Sequence, residues 1–297
     1  MAKKTIKKEG YFKKSSAIIH NGEPAEQPID SAISNMAERI VKIERDLLMP
    51  AITFEHAQLQ NTITFFGASR IKSPEQARIY YEELRAKYRG KELSEEAKKL
   101  LRKAKLGIES SKYYAQAEEL AKRLQEWINS YNLPPEDNFY IMTGGGPGIM
   151  EAANKGAFLA GGKTAGLTIT IPDEQRRNAY VTQELGINFH YFLMRKFWLL
   201  FFAKAIVVFP GGTGTFDEFF EVFTLMKTRK TQEIFPIVLF GKQFWKKVVN
   251  FQALIDADVI SENDLNFFIY VETVDEAFNY ITSSLRKRLP HIFKKTY

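Results

Sequence analysis

The sequence predicts an α/β fold in which a parallel sheet is covered by helices on both faces. Short apolar runs alternate along the chain with segments of helical character. The apolar runs contain few polar positions, as in AIVVF (205–209), which is typical of strands buried on both faces. Gly-rich turns follow several of these runs, at the carboxyl ends of the predicted strands. Open α/β sheets bind their ligands at these ends. The predicted class is therefore doubly wound and Rossmann-like.

A helical extension is predicted before the sheet, and a helical insertion within it. Between residues 31 and 60 apolar residues recur at helical spacing, which predicts one or two helices. TITFFGASR (62–70) then supplies the first strand, with its carboxyl end at Gly67. The stretch 74–130 is rich in Glu, Lys, Ala and Leu. Acidic and basic residues four apart in 91–105 indicate that its first part, about 74–112, is an exposed helical insertion.

Strands and helices are predicted to alternate over the rest of the chain. The predicted strands are the start of 138–150, then 164–172, 205–209, 235–240 and 266–271, and the predicted helices are 192–204, 215–228, 244–254 and 273–285. The chain is expected to divide into a basic flexible tail (1–30), the helical extension (31–60), the main domain (61–286) and a basic tail (287–297).

Length and charge point to a globular protein whose basic character lies at its ends. The chain has 297 residues, of which 45% are hydrophobic, enough for one substantial core. The formal net charge is +7, but residues 1–20 and 286–297 each contribute +5, which leaves −3 between them. We interpret the two ends as solvated tails, and we expect no nucleic-acid partner.

The absence of cysteine excludes disulfides, thiolate metal sites and thiol nucleophiles, and it fits a reducing compartment, so a cytoplasmic location is expected. The apolar stretch 189–210 is interrupted by Arg195, Lys196 and Lys204. It is therefore predicted to be a buried helix and strand, not a membrane span. The four histidines are scattered, so no metal site is predicted, and no cofactor is expected.

Three turns at predicted strand ends are candidates for anion binding: GASR (67–70), GGGPG (144–148) and PGGTGT (210–215). Glycine permits close approach of the backbone, and a helix that begins at such a turn presents unpaired N–H groups to an anion. GGGPGIM lacks the G-x-G-x-x-G spacing of dinucleotide-binding loops, and PGGTGT lacks the lysine of a P-loop. A single phosphate is therefore favoured over a dinucleotide or ATP.

Two acids, Asp217 and Glu218, are predicted to lie in the first turn of a helix that starts near Thr215. Acids there stabilise the helix dipole by about 0.3–1 kcal/mol and need no other role. Alternatively, one of them faces a developing positive charge, such as an oxocarbenium-like sugar. Arg195 and Lys196, on the preceding helix, are either surface charges with packed stems or cations of the same site.

Three segments together carry a family resemblance: GGGPGIMEAANKGA (144–157), MRK (194–196) and PGGTGTFDE (210–218). In this order and spacing they resemble the Lonely Guy (LOG) family of nucleoside 5′-monophosphate phosphoribohydrolases, whose members are often labelled lysine decarboxylases. The resemblance covers about residues 60–285. It implies a Rossmann-like fold and a homodimer or larger homo-oligomer with the site near the subunit interface.

The resemblance also implies a set of site residues. Glu218 and Arg195 would be the catalytic pair. The 5′-phosphate would be held by Gly211, Gly212, Thr213, Gly214 and Thr215. The rest of the substrate pocket would be formed by Ser69, Arg70, Gly145, Gly146, Glu151, Met194, Lys196 and Asp217. For Glu151 an ordinary first-turn role stays open.

The implied reaction is hydrolysis of the N-glycosidic bond of a purine nucleoside 5′-monophosphate, such as AMP or a cytokinin riboside monophosphate. The products would be the free base and ribose 5-phosphate. The alternative is a non-catalytic protein that binds or senses a nucleotide on the same fold. Lysine decarboxylation is disfavoured, because it needs a lysine that forms a Schiff base with pyridoxal phosphate, and no lysine here has a recognisable setting for that role.

Overall fold

The computed structural model describes residues 19–20, 23–24, 29–170, 177–231 and 235–293. Its strands are β1 (Ile19–His20), β2 (Glu23–Pro24), β3 (Asn61–Phe66), β4 (Phe139–Thr143), β5 (Thr164–Ile169), β6 (Gly186–Phe189), β7 (Ala203–Val208), β8 (Ile237–Phe240) and β9 (Phe268–Val271). The first two form a small antiparallel pair, and the other seven form one parallel sheet in the order β6-β5-β4-β3-β7-β8-β9. The predicted α/β fold is thus confirmed.

The helices account for most of the remaining described chain. They are α1 (Ile29–His56), α2 (Pro74–Tyr88), α3 (Glu95–Ser110), α4 (Lys112–Asn129), α5 (Ile149–Leu159), α6 (Phe192–Phe201), α7 (Thr213–Lys227), α8 (Lys242–Val248), α9 (Phe251–Asp256) and α10 (Val274–Arg288). The predicted insertion corresponds to α2 and α3. Ser73 and Ser94 cap their N-termini, each accepting a backbone N–H bond in the first turn.

The core consists of two apolar layers, one on each face of the sheet. Along β3, Ile63 and Phe65 face the layer that contains α4, α5 and α10, whereas Phe66 faces the layer that contains α6, α7 and α8. All six residues of β3 are buried, so this strand is covered on both sides. This double burial explains why the seven strands of the parallel sheet contain almost no charged residues.

The sheet reverses its winding between β3 and β7. From β3 the chain adds β4, β5 and β6 towards one edge, and it then returns to add β7, β8 and β9 towards the other. The carboxyl ends of β4, β3 and β7 are neighbours, and they carry the three turns singled out above. In open α/β sheets, ligands bind at such a switch point.

The structure corrects three details of the predicted elements. Strand β6 was not predicted, because GINF is short, begins with glycine and pairs only at the sheet edge. The predicted helix 244–254 is two helices, separated where Asn250 caps α9. Helix α7 begins at Thr213, two residues before the predicted start.

The chain divides into two compact units, Met1–Arg45 and Asp46–Tyr297. Most of the predicted tail 1–30 and the end of the predicted tail 287–297 lie outside the described residues. Within the second unit the chain still packs beyond residue 286: Leu289, Ile292 and Phe293 are buried, and the ring of Phe293 stacks on Trp127 with centroids 4.6 Å apart. In the part of the chain that the structure describes, no helix has the length and apolar character needed to cross a membrane.

Candidate functional site

The three Gly-containing turns are bound to one another at the switch point. The backbone N–H of Ala68 donates to the carbonyl of Pro210 (3.1 Å), and the N–H of Ile149 donates to the carbonyl of Ala68 (3.1 Å). Gly148 has φ +73°, and a Cβ there would collide with the backbone of Ala68 and Ser69. Glycine is required at this position both for its conformation and for close approach of the chains. The turns therefore form one surface.

A buried asparagine fixes the GGGPG turn. Asn178 donates through Nδ2 to the carbonyls of Gly145 (3.1 Å) and Gly146 (2.9 Å) and to Oδ1 of Asn154 (3.0 Å). Thr143 accepts a bond from the Gly145 N–H (2.9 Å) and donates to the same Asn154 oxygen (2.7 Å). Asn178 was not predicted as a site residue, because nothing local in the sequence shows that it contacts a turn 32 residues earlier.

The PGGTGT turn leaves the N-terminus of α7 open to an anion. Gly212 is the N-cap, and no side chain caps the helix. A Cβ added at Gly212 or Gly214 would meet open space, whereas one at Gly211 would collide with Thr215, which is buried beneath the turn. Uncapped N–H groups at the start of a 15-residue helix are suited to phosphate.

The predicted position of the two acids within the helix was wrong. Because α7 begins at Thr213, its first turn contains no acid, and Asp217 and Glu218 lie in the second turn. The effect of the helix dipole falls off within the first turn. Dipole stabilisation therefore accounts less well for these carboxylates than the sequence suggested.

Arg195 and Glu218 form a largely buried ion pair beside this helix start. Nη2 of Arg195 donates to Oε1 of Glu218 at 3.2 Å, and the two side chains are 13% and 11% exposed. The guanidinium lies over the ring of Phe192, 5.0 Å from its centroid, and its Nη1 is 3.8 Å from where a Cβ would stand on Gly144. Nε of Arg195 is buried without a hydrogen-bond partner. The Arg195 guanidinium thus lies close to both the GGGPG turn and Glu218.

Burial changes the acidity of both partners. It raises the pKa of Glu218 to about 7, although Arg195 opposes the shift; Asp217 adds to it. Burial likewise lowers the pKa of Arg195, against the opposing effect of Glu218. A carboxyl group with a pKa near neutrality can exchange a proton at physiological pH, as acid–base catalysis requires.

The raised pKa predicts how stability depends on pH. Glu218 holds its proton more tightly in the folded protein than in the unfolded chain. Its contribution to the free energy of unfolding is therefore stabilising below pH 4.5, and this stabilisation is lost as the pH rises through about 7. Glu218→Gln removes this dependence. We expect its free energy of unfolding, relative to the wild type, to rise by about 3 kcal/mol between pH 4.5 and pH 8.

Urea unfolding of both proteins at each pH would measure this difference. The other titrating groups are the same in both proteins, so the pH dependence that does not involve Glu218 cancels in the difference. Asp217→Asn serves as the matched control and should show a much smaller change, because its side chain is 53% exposed. A difference between wild type and Glu218→Gln that does not vary with pH would contradict the assignment.

Asp217 and Lys196 belong to a second ion-pair group next to the Arg195–Glu218 pair. Nζ of Lys196 lies 3.1 Å from Oδ1 of Asp217 and 2.7 Å from Oε2 of Glu221. Partial burial acts to lower the pKa of Lys196, but hydrogen bonds to Glu221 and Asp217 outweigh it, so the pKa lies above its usual value. Glu221, which was not among the predicted site residues, lies one helical turn beyond Asp217. These residues border an open groove of about 570 Å³ that also contains Phe216 and Phe220.

The remaining predicted residues have varied surroundings. Glu151 accepts a hydrogen bond from the buried Tyr114 hydroxyl (2.8 Å), and burial together with this bond raises the pKa of Tyr114. Met194 is partly buried and packs on the core layer that contains α6. Ser69 is half-buried and Arg70 exposed in the turn after β3. Among the described residues, no group of three or more His, Asp or Glu side chains could hold a metal ion.

Comparison with known proteins gives one family and several similar folds. Residues 150–281 match the family described as "Possible lysine decarboxylase", and this segment contains Arg195 and Glu218. No match was found among curated proteins. The solved structures that resemble this chain include the structural genomics target TM1055, which is 21% identical and has a TM-score of 0.41 over 75% of this chain and 99% of that one. Two others are 16% identical with TM-scores of 0.41: the molybdenum cofactor carrier protein of Chlamydomonas reinhardtii (76% of this chain, 98% of that one) and the molybdenum cofactor binding protein of Rippkaea orientalis (75% and 96%).

Proposed function

We propose a hydrolase function for this chain, which belongs to the LOG-type family described as "Possible lysine decarboxylase". The proposed reaction cleaves the N-glycosidic bond of a purine nucleoside 5′-monophosphate and yields the free base and ribose 5-phosphate. The observation that supports it is the buried Arg195–Glu218 pair beside the uncapped start of α7. An anion-binding helix start and a buried carboxylate of raised pKa are the two groups that such a substrate requires.

Phosphate binding would fix the substrate. The free N–H groups at the start of α7, with the glycines of the PGGTGT turn, would hold the 5′-phosphate. Held there, the ribose can lie over the second turn of α7, from which Glu218 projects. Fixing one end of the substrate orients the ribose towards Glu218 before the reaction, so less entropy is lost in reaching the transition state and the activation barrier is lower.

Glu218 would act on the sugar. As the bond from C1′ to the base breaks, positive charge develops on the ribose, and an ionised carboxylate stabilises that charge or takes a proton from the attacking water. The water oxygen becomes bonded to C1′, and the base leaves with a proton. Arg195 would orient the phosphate and ribose or assist the departing base, because its guanidinium lies beside Glu218 and close to Gly144 of the GGGPG turn.

Lysine decarboxylation fits these residues poorly. That chemistry needs an unprotonated lysine for a Schiff base with pyridoxal phosphate and an acid at the pyridine nitrogen. Lys196, the lysine nearest the Arg195–Glu218 pair in sequence, is held by two carboxylates that favour its charged form. We therefore assign no step to pyridoxal phosphate.

The proposal predicts that the substrate must carry its 5′-phosphate. Incubation with AMP should release adenine, measured by liquid chromatography, whereas adenosine at the same concentration should react at least about 100-fold more slowly, because the turn supplies binding energy only to an anion. Adenosine cleaved as efficiently as AMP would contradict it. A panel of other nucleoside monophosphates in the same assay would identify the preferred base.

The same assay separates the alternative function. A protein that binds AMP in calorimetry but releases no base from any nucleotide of the panel would be a nucleotide-binding or nucleotide-sensing protein.

The expected homo-oligomer stays a prediction. Phe192, Leu193, Phe197 and Phe201 are exposed on α6, the helix that carries Arg195, and an apolar face of this kind is typical of an interface.

A further inference from the structure

A buried carboxylate from outside the predicted site contacts the start of the helix that carries Arg195. Oδ2 of Asp46 accepts bonds from the backbone N–H groups of His190 (2.8 Å) and Tyr191 (3.0 Å). Oδ1 lies 2.8 Å from Nδ1 of His190, and the side chain is only 1% exposed. The backbone carbonyl of Asp46 also accepts a bond from Nε1 of Trp198 (3.1 Å). One residue of α1 therefore holds α6 at two points.

Helix α6 has no cap of its own. Tyr191 is the N-cap residue and provides no side-chain hydrogen bond. Asp46, 145 residues earlier in the chain, instead binds the backbone N–H groups of this N-cap residue and of His190 before it. Hydrogen bonds from backbone N–H groups to a carboxylate are stronger than bonds between neutral groups, so they fix the backbone where it enters the helix. Because a buried carboxylate is costly unless it is hydrogen-bonded, the three donors around Asp46 also fix the carboxylate itself.

Tyr191, which Asp46 holds, is one helical turn before Arg195. The backbone N–H of Arg195 donates to the carbonyl of Tyr191 (3.2 Å), so Arg195 closes the first turn that Asp46 holds. On the following turn, Trp198 packs edge-on against Phe54 of α1 with ring centroids 5.6 Å apart. A shift or rotation of α6 at its start would move the Arg195 guanidinium relative to Glu218, which lies on a separate helix.

We propose that Asp46 is a positioning residue for the reaction proposed above, and that it acts by fixing the start of α6 so that Arg195 meets Glu218. Asp46 would then belong to the catalytic architecture, although the family resemblance begins only near residue 60. The proposal rests on the proposed function for its effect on catalysis, but not for its effect on α6.

The first test separates Asp46→Ala from Asp46→Asn. The alanine removes every acceptor, so kcat for AMP should fall at least about tenfold, because small displacements of a catalytic group are costly. KM should change less than about threefold, because the phosphate turn is on α7. The asparagine can place its oxygen where Oδ2 stands and keep both backbone bonds, so it should retain at least about half of kcat.

Two controls distinguish positioning from general instability. Glu55→Ala removes an exposed acid of the same helix and should leave activity unchanged. Leu285→Ala creates a cavity in α10, in the opposite core layer, and should lower the melting temperature while kcat is preserved. The proposal is overturned if Asp46→Ala keeps wild-type kcat, if Leu285→Ala loses as much kcat as Asp46→Ala, or if Asp46→Asn is as impaired as Asp46→Ala.

Hydrogen exchange measured by mass spectrometry tests the same proposal without catalysis. Asp46→Ala should speed amide exchange in peptides covering 188–198 and leave peptides covering 213–227 unchanged, whereas Asp46→Asn should resemble the wild type. If the wild type releases no base, the proposed function fails. Faster exchange in 188–198 of Asp46→Ala would still support the role of Asp46 in fixing α6. Unchanged exchange in 188–198 would overturn that role whatever the activity.

Discussion

Glu218→Gln is expected to abolish release of the base from AMP while AMP still binds. The substitution keeps the shape and hydrogen-bonding capacity of the side chain but removes the charge that would stabilise the developing cation. Binding should be unchanged or tighter, because a carboxylate close to the bound phosphate is gone. Chromatography of released adenine and calorimetric titration with AMP would measure the two effects separately.

Asp217→Asn is the matched control for this prediction. Asp217 is the adjacent acid of the same helix, but its side chain lies about 100° around the helix axis and pairs with Lys196. We expect this variant to retain at least about a tenth of the activity, because its carboxylate is half-exposed and pairs with Lys196 instead of Arg195. An inactive Asp217→Asn combined with an active Glu218→Gln would require the two roles to be exchanged.

Arg195→Ala is expected to lower kcat/KM for AMP at least about 100-fold, because a positioned charge contributes several kcal/mol at the transition state. The fold should tolerate the change. Removing one partner of a buried ion pair normally costs about 3–5 kcal/mol, because it leaves an uncompensated charge. Here Glu218, whose pKa is already about 7, can take up a proton instead. The melting temperature at pH 6 should therefore change little.

Lys196→Ala provides the comparison within the same helix. It removes a neighbouring cation whose partners are Asp217 and Glu221, and we expect its activity to fall less than that of Arg195→Ala. Thermal unfolding at pH 6 and steady-state kinetics on both variants would check this. Unfolding of Arg195→Ala under these conditions would mean that the arginine serves mainly to pack α6.

The positions of the site loops could be predicted from the sequence because they depend on local properties. Continuous apolar runs identify buried parallel strands, and glycines at their carboxyl ends identify the turns. The parallel arrangement then places all the turns at one edge of the sheet. Strand β6 and the break between α8 and α9 escaped prediction, because a four-residue edge strand and a single capping asparagine give only weak local signals.

By itself, the sequence determined the α/β fold, the order of its elements and the segments from which a site could be built. Only the tertiary structure decided which side chains meet. It placed Glu218 against Arg195 and Asp217 against Lys196, although the two acids are neighbours in the chain. It also brought Asp46 to the start of α6 and Asn178 to the GGGPG turn. Such contacts join residues tens to more than a hundred positions apart, and they depend on the packing of whole helices and turns, which no local pattern records.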